Sequence, residues 1–337
     1  MNWLKKSSIF YKNVKRTDHF KNVQERMKVV SLFSGAGGLD LGLIQAGHKV
    51  IWANDNDKDT VVTYSKNIGE YIILKDIEKI LSEDIPTGDV VVGGFPCQGF
   101  SLANLSRTKE DRRNKLYIHF LRIIYDKQPL YFLAENVRGI LNLEKGEVIQ
   151  RIVTDFSNAG YRVKYRLFNT ADYGVPQTRM RVIIAGTRND LPSKLDYQYP
   201  EPTHAEPGLL YTLKSWIPVG EALENIPEPD ETHHLLNHIH SKYKVTNRNF
   251  TGHRRTNPEI PSPTILARGN GKGGVCAIQH PKNHRRMSVR ESAIVQSFPL
   301  DFEFIGSMGS MYRQVGNAVP VLFAKHLGVK LKELEGL

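Results

Sequence analysis

The first regular pattern along the chain is "MKVVSL" (Met27 to Leu32), a short apolar run of strand type. "FSGAGGLDLGLIQAG" follows, a glycine-rich turn that opens into apolar positions at helical spacing and stops at Gly47. "HKVIWAND" then reads as the next strand. Further runs of strand type are "YIILKD", "DVVVGG", "LYFLAEN", "YRVKYRLFN" and "RVIIAGT", separated by helix-periodic stretches such as "KLYIHFLRIIYDK" and "GEVIQRIVTDFSNAG". Strands that alternate with helices predict an α/β fold, a doubly wound and mostly parallel Rossmann-like sheet whose site lies at the carboxyl ends of the strands.

The alternation fades after Arg188, where prolines and histidines multiply, and resumes near Arg285. This predicts four segments: a basic arm at 1–26, an α/β domain at 27–189, a smaller inserted domain at 190–284, and a segment at 285–337 that returns to the first domain.

Charge sharpens that division. The formal net charge is +11, and between Ser241 and Arg290 eleven Lys and Arg face a single acid, Glu259. Met1 to Lys28 holds eight basic and two acidic residues, so the rest of the chain is slightly acidic. Such polarity points to a polyanion, nucleic acid first, with a merely solvated basic face as the alternative. Two cysteines, Cys97 and Cys276, make no disulfide framework in a chain of 337 residues, which suits a reducing cytoplasm. No apolar run approaches the roughly 18 residues that span a bilayer, and the amino end lacks a signal-peptide core, so no membrane partner is expected.

Candidate chemistry sits just after the strands. Gly35, Gly37 and Gly38 let backbone approach a ligand while the next helix presents its amino end, although a turn that only packs strand on helix has the same composition. Asp55 closes the second strand, where a carboxylate can accept both hydroxyls of a ribose, and Asp76 closes the third, where it can meet an adenine amino group. Either alone reads as a surface acid. Ligand-type residues at three successive strand ends favour a nucleoside-bearing cofactor.

Cys97, in "GGFPCQGFS", lies on the loop that leaves the fourth strand. A lone cysteine is ordinarily inert apolar filler, but Pro96 and the Gly93–Gly94 pair make this a rigid turn rather than a packing face. A thiolate there needs positive charge or backbone N–H groups nearby. Glu135, in "AENVRGI", ends the next strand behind an apolar run, where an acid can keep a proton to donate or simply close the strand. Arg179 and Arg181, in "QTRMRVIIAG", are two apart on a strand, which predicts guanidinium groups on one side. His233, His234, His238 and His240 have a spacing that suggests a metal, but no cysteine set accompanies them and no metal is assigned; Cys276 is read as structural.

The ordered blocks "LFSGAGG", "PCQGFS", "ENV", "QTRMR", "RRMSVRESAIVQSFP" and "GNAVP" resemble the DNA (cytosine-5)-methyltransferase family of bacterial restriction–modification systems. They run in family order from residue 29 to about 325, interrupted where that family keeps its target-recognition domain. The resemblance implies a nucleophile at Cys97, a ring-protonating acid at Glu135, and Arg179 and Arg181 positioning the base and Cys97. It implies an S-adenosylmethionine site lined by Phe33, Gly35, Gly37, Gly38, Asp55, Asp76, Ile77 and Asn317. Gln98, Ser101, Asn136 and Val137 would lie near the target nucleotide, and Arg268 and Lys272 in the basic lobe would contact DNA. Ser31, Asp55, Asn56 and Gly99 depart from the commoner family pattern, which touches cofactor affinity more than reaction type.

The implied partners are double-stranded DNA and, functionally, a cognate restriction endonuclease without a stable complex, the enzyme itself being a cytoplasmic monomer. Attack on carbon 6 comes from above the ring plane, so the cytosine must leave the stack at a cost of a few kcal/mol. Three other readings fit less well. An NAD-dependent oxidoreductase would show GxGxxG and need neither Cys97 nor a basic lobe. A tRNA cytosine methyltransferase would share the catalytic set but carry a smaller recognition region. A DNA-binding regulator without activity would tolerate erosion of Cys97, Glu135, Arg179 and Arg181.

Overall fold

The computed structural model describes residues 26–95, 112–209, 212–232, 234–242, 256–267 and 278–335. Backbone contacts divide them into two units, one holding 26–169, 180–201 and the end of the chain from Ala324, the other Thr170–Arg179 and Pro202–Phe323.

The first unit carries a seven-stranded sheet built from β1 (Lys28–Leu32), β2 (Lys49–Asp55), β3 (Ile72–Leu74), β4 (Val90–Gly93), β5 (Tyr131–Val137), β6 (Tyr161–Asn169) and β7 (Met180–Arg188). Its spatial order is β3-β2-β1-β4-β5-β7-β6. Neighbours from β3 to β5 pair in parallel, and β7 runs antiparallel to both β5 and β6. The α/β expectation and every strand foreseen from the apolar runs are therefore met. β1 and β4 are nearly continuous apolar runs because the middle of a parallel sheet is covered on both faces.

Helices α1 (Gly38–Ala46), α2 (Lys58–Asn67), α3 (Arg112–Lys127) and α4 (Glu147–Asn158) fill the crossovers. Asp57 caps α2, its side chain accepting from the Thr60 amide at 2.9 Å. The core beneath β4 and β5 is aromatic: Phe95, Tyr117, Phe120, Phe132, Phe156 and Tyr161 meet mostly edge to face, and Phe132 and Phe156 approach to 4.4 Å between centroids.

The second unit contains a two-stranded sheet, β8 (His204–Ala205) with β9 (Lys214–Ser215), and helices α5 (Val219–Ala222), α6 (Val289–Val295) and α7 (Met308–Asn317). Helix α6 begins with a capping box between Ser288 and Glu291. Glu291 also takes two hydrogen bonds from Arg285, which binds Glu228 as well. His238, expected as part of a histidine cluster, is buried and bonded to Ser288 Oγ at 2.8 Å and the Pro227 carbonyl at 2.7 Å; His233 lies outside the described residues.

The last helix, α8 (Val321–Lys332), enters the sheet unit from Ala324 onward. Gly328 allows it to cross α1 closely, since a Cβ there would stand 2.7 Å from Ala46 Cβ. Buried His48 donates to the Gly328 carbonyl at 2.8 Å and places its other ring nitrogen 3.0 Å from Glu335, which also accepts from the Met27 amide. Among the described residues no helix is long and apolar enough to cross a membrane.

Replacing Glu335 by Ala strips the Met27 amide of its acceptor and removes the carboxylate beside buried His48, and the expected loss is about 2 kcal/mol. Melting temperature and faster amide exchange along α8 check it. Lys330→Ala, which opens a largely exposed pair with Glu333, is expected to cost less than about 0.5 kcal/mol.

Candidate active site

Parallel pairing sets the carboxyl ends of β1, β2 and β3 side by side, with Ser31 opposite Ala53 and Asp55 opposite Leu74. The chain leaving β1 turns sharply through Phe33 at φ 54°, a left-handed value that costs an ordinary residue about 1–2 kcal/mol, and Gly35 at φ 57°. β2 holds this turn in place. Asn54 Oδ1 accepts the Phe33 amide at 3.3 Å, the Asn54 carbonyl accepts the Ser34 amide at 2.9 Å, and Asp55 Oδ2 accepts the Gly35 amide at 3.0 Å.

Asp55 Oδ1 takes the Asp57 amide at 2.9 Å. Burial pushes the Asp55 carboxyl above the usual carboxylate range, against the pull of those backbone amides. Asp76 Oδ1 accepts from the Glu78 amide at 3.1 Å and caps a short turn of helix at Ile77–Lys79, with Ile77 buried. A Cβ built on Gly35 would meet no atom within 4 Å, so the space over the turn is open and a ligand can approach the backbone there. Gly37 faces the other way: a Cβ would strike Ile68 and the Tyr64 ring. These strand ends together offer open backbone, a half-buried carboxylate and an apolar wall, which suits a nucleoside-bearing ligand.

A second cluster forms at the ends of β4 and β5. Glu135 in β5 and Arg181 in β7 are diagonal neighbours on one face of the antiparallel pair, since Arg181 stands opposite Val137 and Glu135 opposite Ile183. Arg181 Nε lies 2.6 Å from Glu135 Oε1, off the N–H axis, a charge contact rather than an aligned hydrogen bond; Arg181 Nη1 donates to the Met180 carbonyl at 2.8 Å. Both side chains keep slightly over a tenth of their surface open, 13% for Glu135 and 11% for Arg181. The other Glu135 oxygen lies over Gly94, where a Cβ would come within 2.9 Å of it. Asn136 donates to the Phe95 carbonyl at 3.0 Å and accepts its neighbour Val137's amide at 2.9 Å, so its side chain ties β5 to the chain leaving β4; Val137 is exposed.

Arg179 does not share the setting of Arg181. β7 begins at Met180, so the alternation that would align the two does not reach back to it. Arg179 belongs to the other unit and is buried there, donating to the carbonyls of Ile265 at 2.9 Å, Gly316 at 2.9 Å and Ala318 at 3.0 Å. Two of these carbonyls flank Asn317, itself exposed at the end of α7. Gln296 supports the same turn by donating to Val315 and Ala318, and Gln177 donates to Gln296 while accepting from the Ile265 amide. Sequence reasoning missed Gln177 and Gln296 as partners of this turn, although both stand inside the quoted blocks. Cys97, Gln98, Ser101, Arg268 and Lys272 lie outside the described residues.

The model of the family described as C-5 cytosine-specific DNA methylase matches residues 27–333. The chain is 41% identical over 329 residues to Type II methyltransferase M.NgoFVII of Neisseria gonorrhoeae, covering 91% of this chain and 86% of that protein. It is 37% identical to Type II methyltransferase M.MthTI of Methanothermobacter thermautotrophicus, covering 92% and 99%. Among solved structures, the S. pombe Dnmt2 methyltransferase superposes with a TM-score of 0.67 at 20% identity, covering 92% of this chain and 99% of that one. The Entamoeba histolytica methyltransferase EhMeth gives 0.64 at 18%, with coverage of 92% and 99%.

Arg179→Ala takes a buried donor from three backbone carbonyls, of which Ala318 keeps the one from Gln296, and a loss on the order of 3–5 kcal/mol is expected in denaturant unfolding. Arg181→Ala, at a partly open site, is expected to cost less than about 2 kcal/mol.

Proposed function

The chain belongs to the C-5 cytosine-specific DNA methylases and is a cytosine-C5 DNA methyltransferase of restriction–modification type, and on that premise we propose that it works through a transient covalent bond between Cys97 and a cytosine flipped out of duplex DNA. The observation that carries this reading is the pairing of Glu135 with Arg181 over Gly94, three residues before Cys97 in the chain. It sets a carboxyl group beside Gly94, with a guanidinium next to it.

S-adenosylmethionine, when bound, supplies an electrophilic methyl group. Phe33, Gly35, Asp55, Asp76 and Ile77 would hold it, with Gly37 and Gly38 shaping the turn. The Cys97 thiolate adds to carbon 6 while Glu135, oriented by Arg181, supplies the proton at ring nitrogen 3, and carbon 5 becomes nucleophilic enough to take the methyl group. The carbon 5 proton then leaves to water, the nitrogen 3 proton returns to Glu135, the carbon–sulfur bond breaks and the thiolate is restored, with S-adenosylhomocysteine as the leaving group. Gln98, Ser101, Asn136 and Val137 frame the base. Arg179 acts at one remove, by fixing the backbone on both sides of Asn317.

Recognition of the target sequence is assigned to 190–284, whose basic stretch, including Arg268 and Lys272, offsets the cost of extruding the base through phosphate contacts. The enzyme acts as a cytoplasmic monomer and protects host DNA from a cognate endonuclease with which it forms no stable complex.

Cys97→Ala is expected to abolish methyl transfer while duplex affinity stays within about threefold, and wild-type protein is expected to form an adduct at Cys97 on DNA carrying 5-fluorocytosine. Peptide mapping of the trapped complex reads this directly; turnover in the alanine variant or an adduct elsewhere defeats the mechanism. Gly94→Ala pushes only the flexible end of Glu135, so stability should stay within about 1 kcal/mol while single-turnover rate falls about tenfold or more.

A further inference from the structure

Beneath the Phe33–Gly38 turn runs a chain of hydroxyl groups with a carboxylate at its centre, which the reaction itself does not use. Asp40, in the first turn of α1, is fully buried, in a helix whose other polar residue is Gln45. Its Oδ1 accepts from Ser31 Oγ in β1 at 2.7 Å and its Oδ2 from the Tyr64 hydroxyl in α2 at 2.7 Å. Ser31 spends its only hydroxyl hydrogen on Asp40, so Ser34 Oγ, 2.9 Å away, is the donor to Ser31 Oγ. On the other arm the Tyr71 ring meets that of Tyr64 edge to face, 6.0 Å between centroids.

This frame touches the turn twice. Ser34 lies within it, and the Tyr64 ring is the surface against which Gly37 rests, 2.9 Å from the position a Cβ would take. A non-glycine residue held at φ 54°, as Phe33 is, persists only where its surroundings over-determine it. The β2 contacts and the Asp40 frame both bear on this turn.

We propose that Asp40 is a positioning residue for the cofactor: through Ser31 and Tyr64 its carboxylate holds the strained turn in the shape that admits the ligand, and binding weakens when that carboxylate loses its charge. The inference rests on the reading of this turn as the S-adenosylmethionine site. Burial pushes the Asp40 carboxyl up to about 6, against the two hydroxyls that donate to it. The groups that face it are Ser31 from β1, Tyr64 from α2 and Tyr71 from the segment before β3; both tyrosines are pushed above their ordinary range and stay neutral.

On protonation Asp40 must donate to Ser31 or to Tyr64, and one arm of the chain reverses. The competent form is therefore complete above this value and is lost as pH falls through it, and by linkage a bound ligand lowers the Asp40 value in turn. Folding stability moves the other way. A carboxyl raised from 3.8 to about 6 favours the folded state most below 3.8, and that contribution is gone above about 6.

The experiment titrates S-adenosylhomocysteine calorimetrically into the full chain between about pH 5 and about pH 8. Wild type is expected to lose about tenfold in affinity from about pH 7 to about pH 5. Asp40→Asn is expected to be about tenfold weaker at neutral pH and nearly flat across the range, keeping only the slope that half-buried Asp55 gives both proteins. Tyr64→Phe and Ser31→Ala, which keep the carboxylate and lose one arm, should show smaller losses with the inflection retained. In steady-state methylation Asp40→Asn should raise KM for the cofactor more than it lowers kcat, with duplex affinity at fixed salt unchanged.

Wild-type affinity and profile in Asp40→Asn overturn the proposal and leave the cofactor site standing. So does a parallel loss of cofactor binding, DNA binding and melting temperature in all three variants, which marks a plain folding residue. A wild-type protein that takes up no S-adenosylhomocysteine at any pH overturns the cofactor site and this proposal with it.

Discussion

Strand β7 is hydrogen-bonded on both sides, antiparallel to β5 along Tyr131–Val137 and to β6 along Tyr161–Asn169, and this double pairing fixes the register that brings Arg181 to Glu135. A slip of one residue would turn Arg181 to the opposite face of the sheet. The register is locked from the core, because Gly186 stands directly opposite Phe132 and a Cβ there would fall 2.0 Å from the Phe132 ring. The aromatic packing around Phe132 and the ion pair at the site are thus two readings of one alignment.

The parallel half of the sheet does the complementary work of gathering strand ends. β1 lies between β2 and β4, so the turn after β1 is held laterally by Asn54 and Asp55, while the chain leaving β4 is tied to β5 by Asn136. Both ties run from side chain to backbone, which sets loop position without depending on the loop's own sequence. Polar side chains that sequence reasoning treats as ligand contacts therefore serve the scaffold as well. Asp55 accepts two amides and Asn136 satisfies a carbonyl and an amide, and their remaining lone pairs and hydrogens are what a ligand can use.

Arg179 and Arg181 show how far two neighbouring residues of the same type can diverge. The chain passes from one compact unit to the other between Arg179 and Met180, so one guanidinium is sequestered by backbone carbonyls and the next keeps an open edge beside Glu135. A buried arginine that satisfies the carbonyls on both sides of Asn317 is a structural clamp whose effect on chemistry is indirect.

The sequence by itself determined the strands, their alternation with helices and the placing of Asp55, Asp76 and Glu135 at strand ends, because apolar runs and glycine turns are local signals. It also made the family legible, since six blocks stand along the chain in family order. Only the tertiary structure decided that β7 inserts between β5 and β6, that Glu135 meets Arg181 and not Arg179, and that Asp40 lies at the centre of a hydroxyl chain. Periodicity marks which face of an element is apolar but carries no information about which element it will face. Asp40 reads as one acid in the first turn of a helix, and its meaning depends on Ser31 and Tyr64, which stand 9 and 24 residues away in sequence and come within hydrogen-bonding reach only when the sheet closes over them.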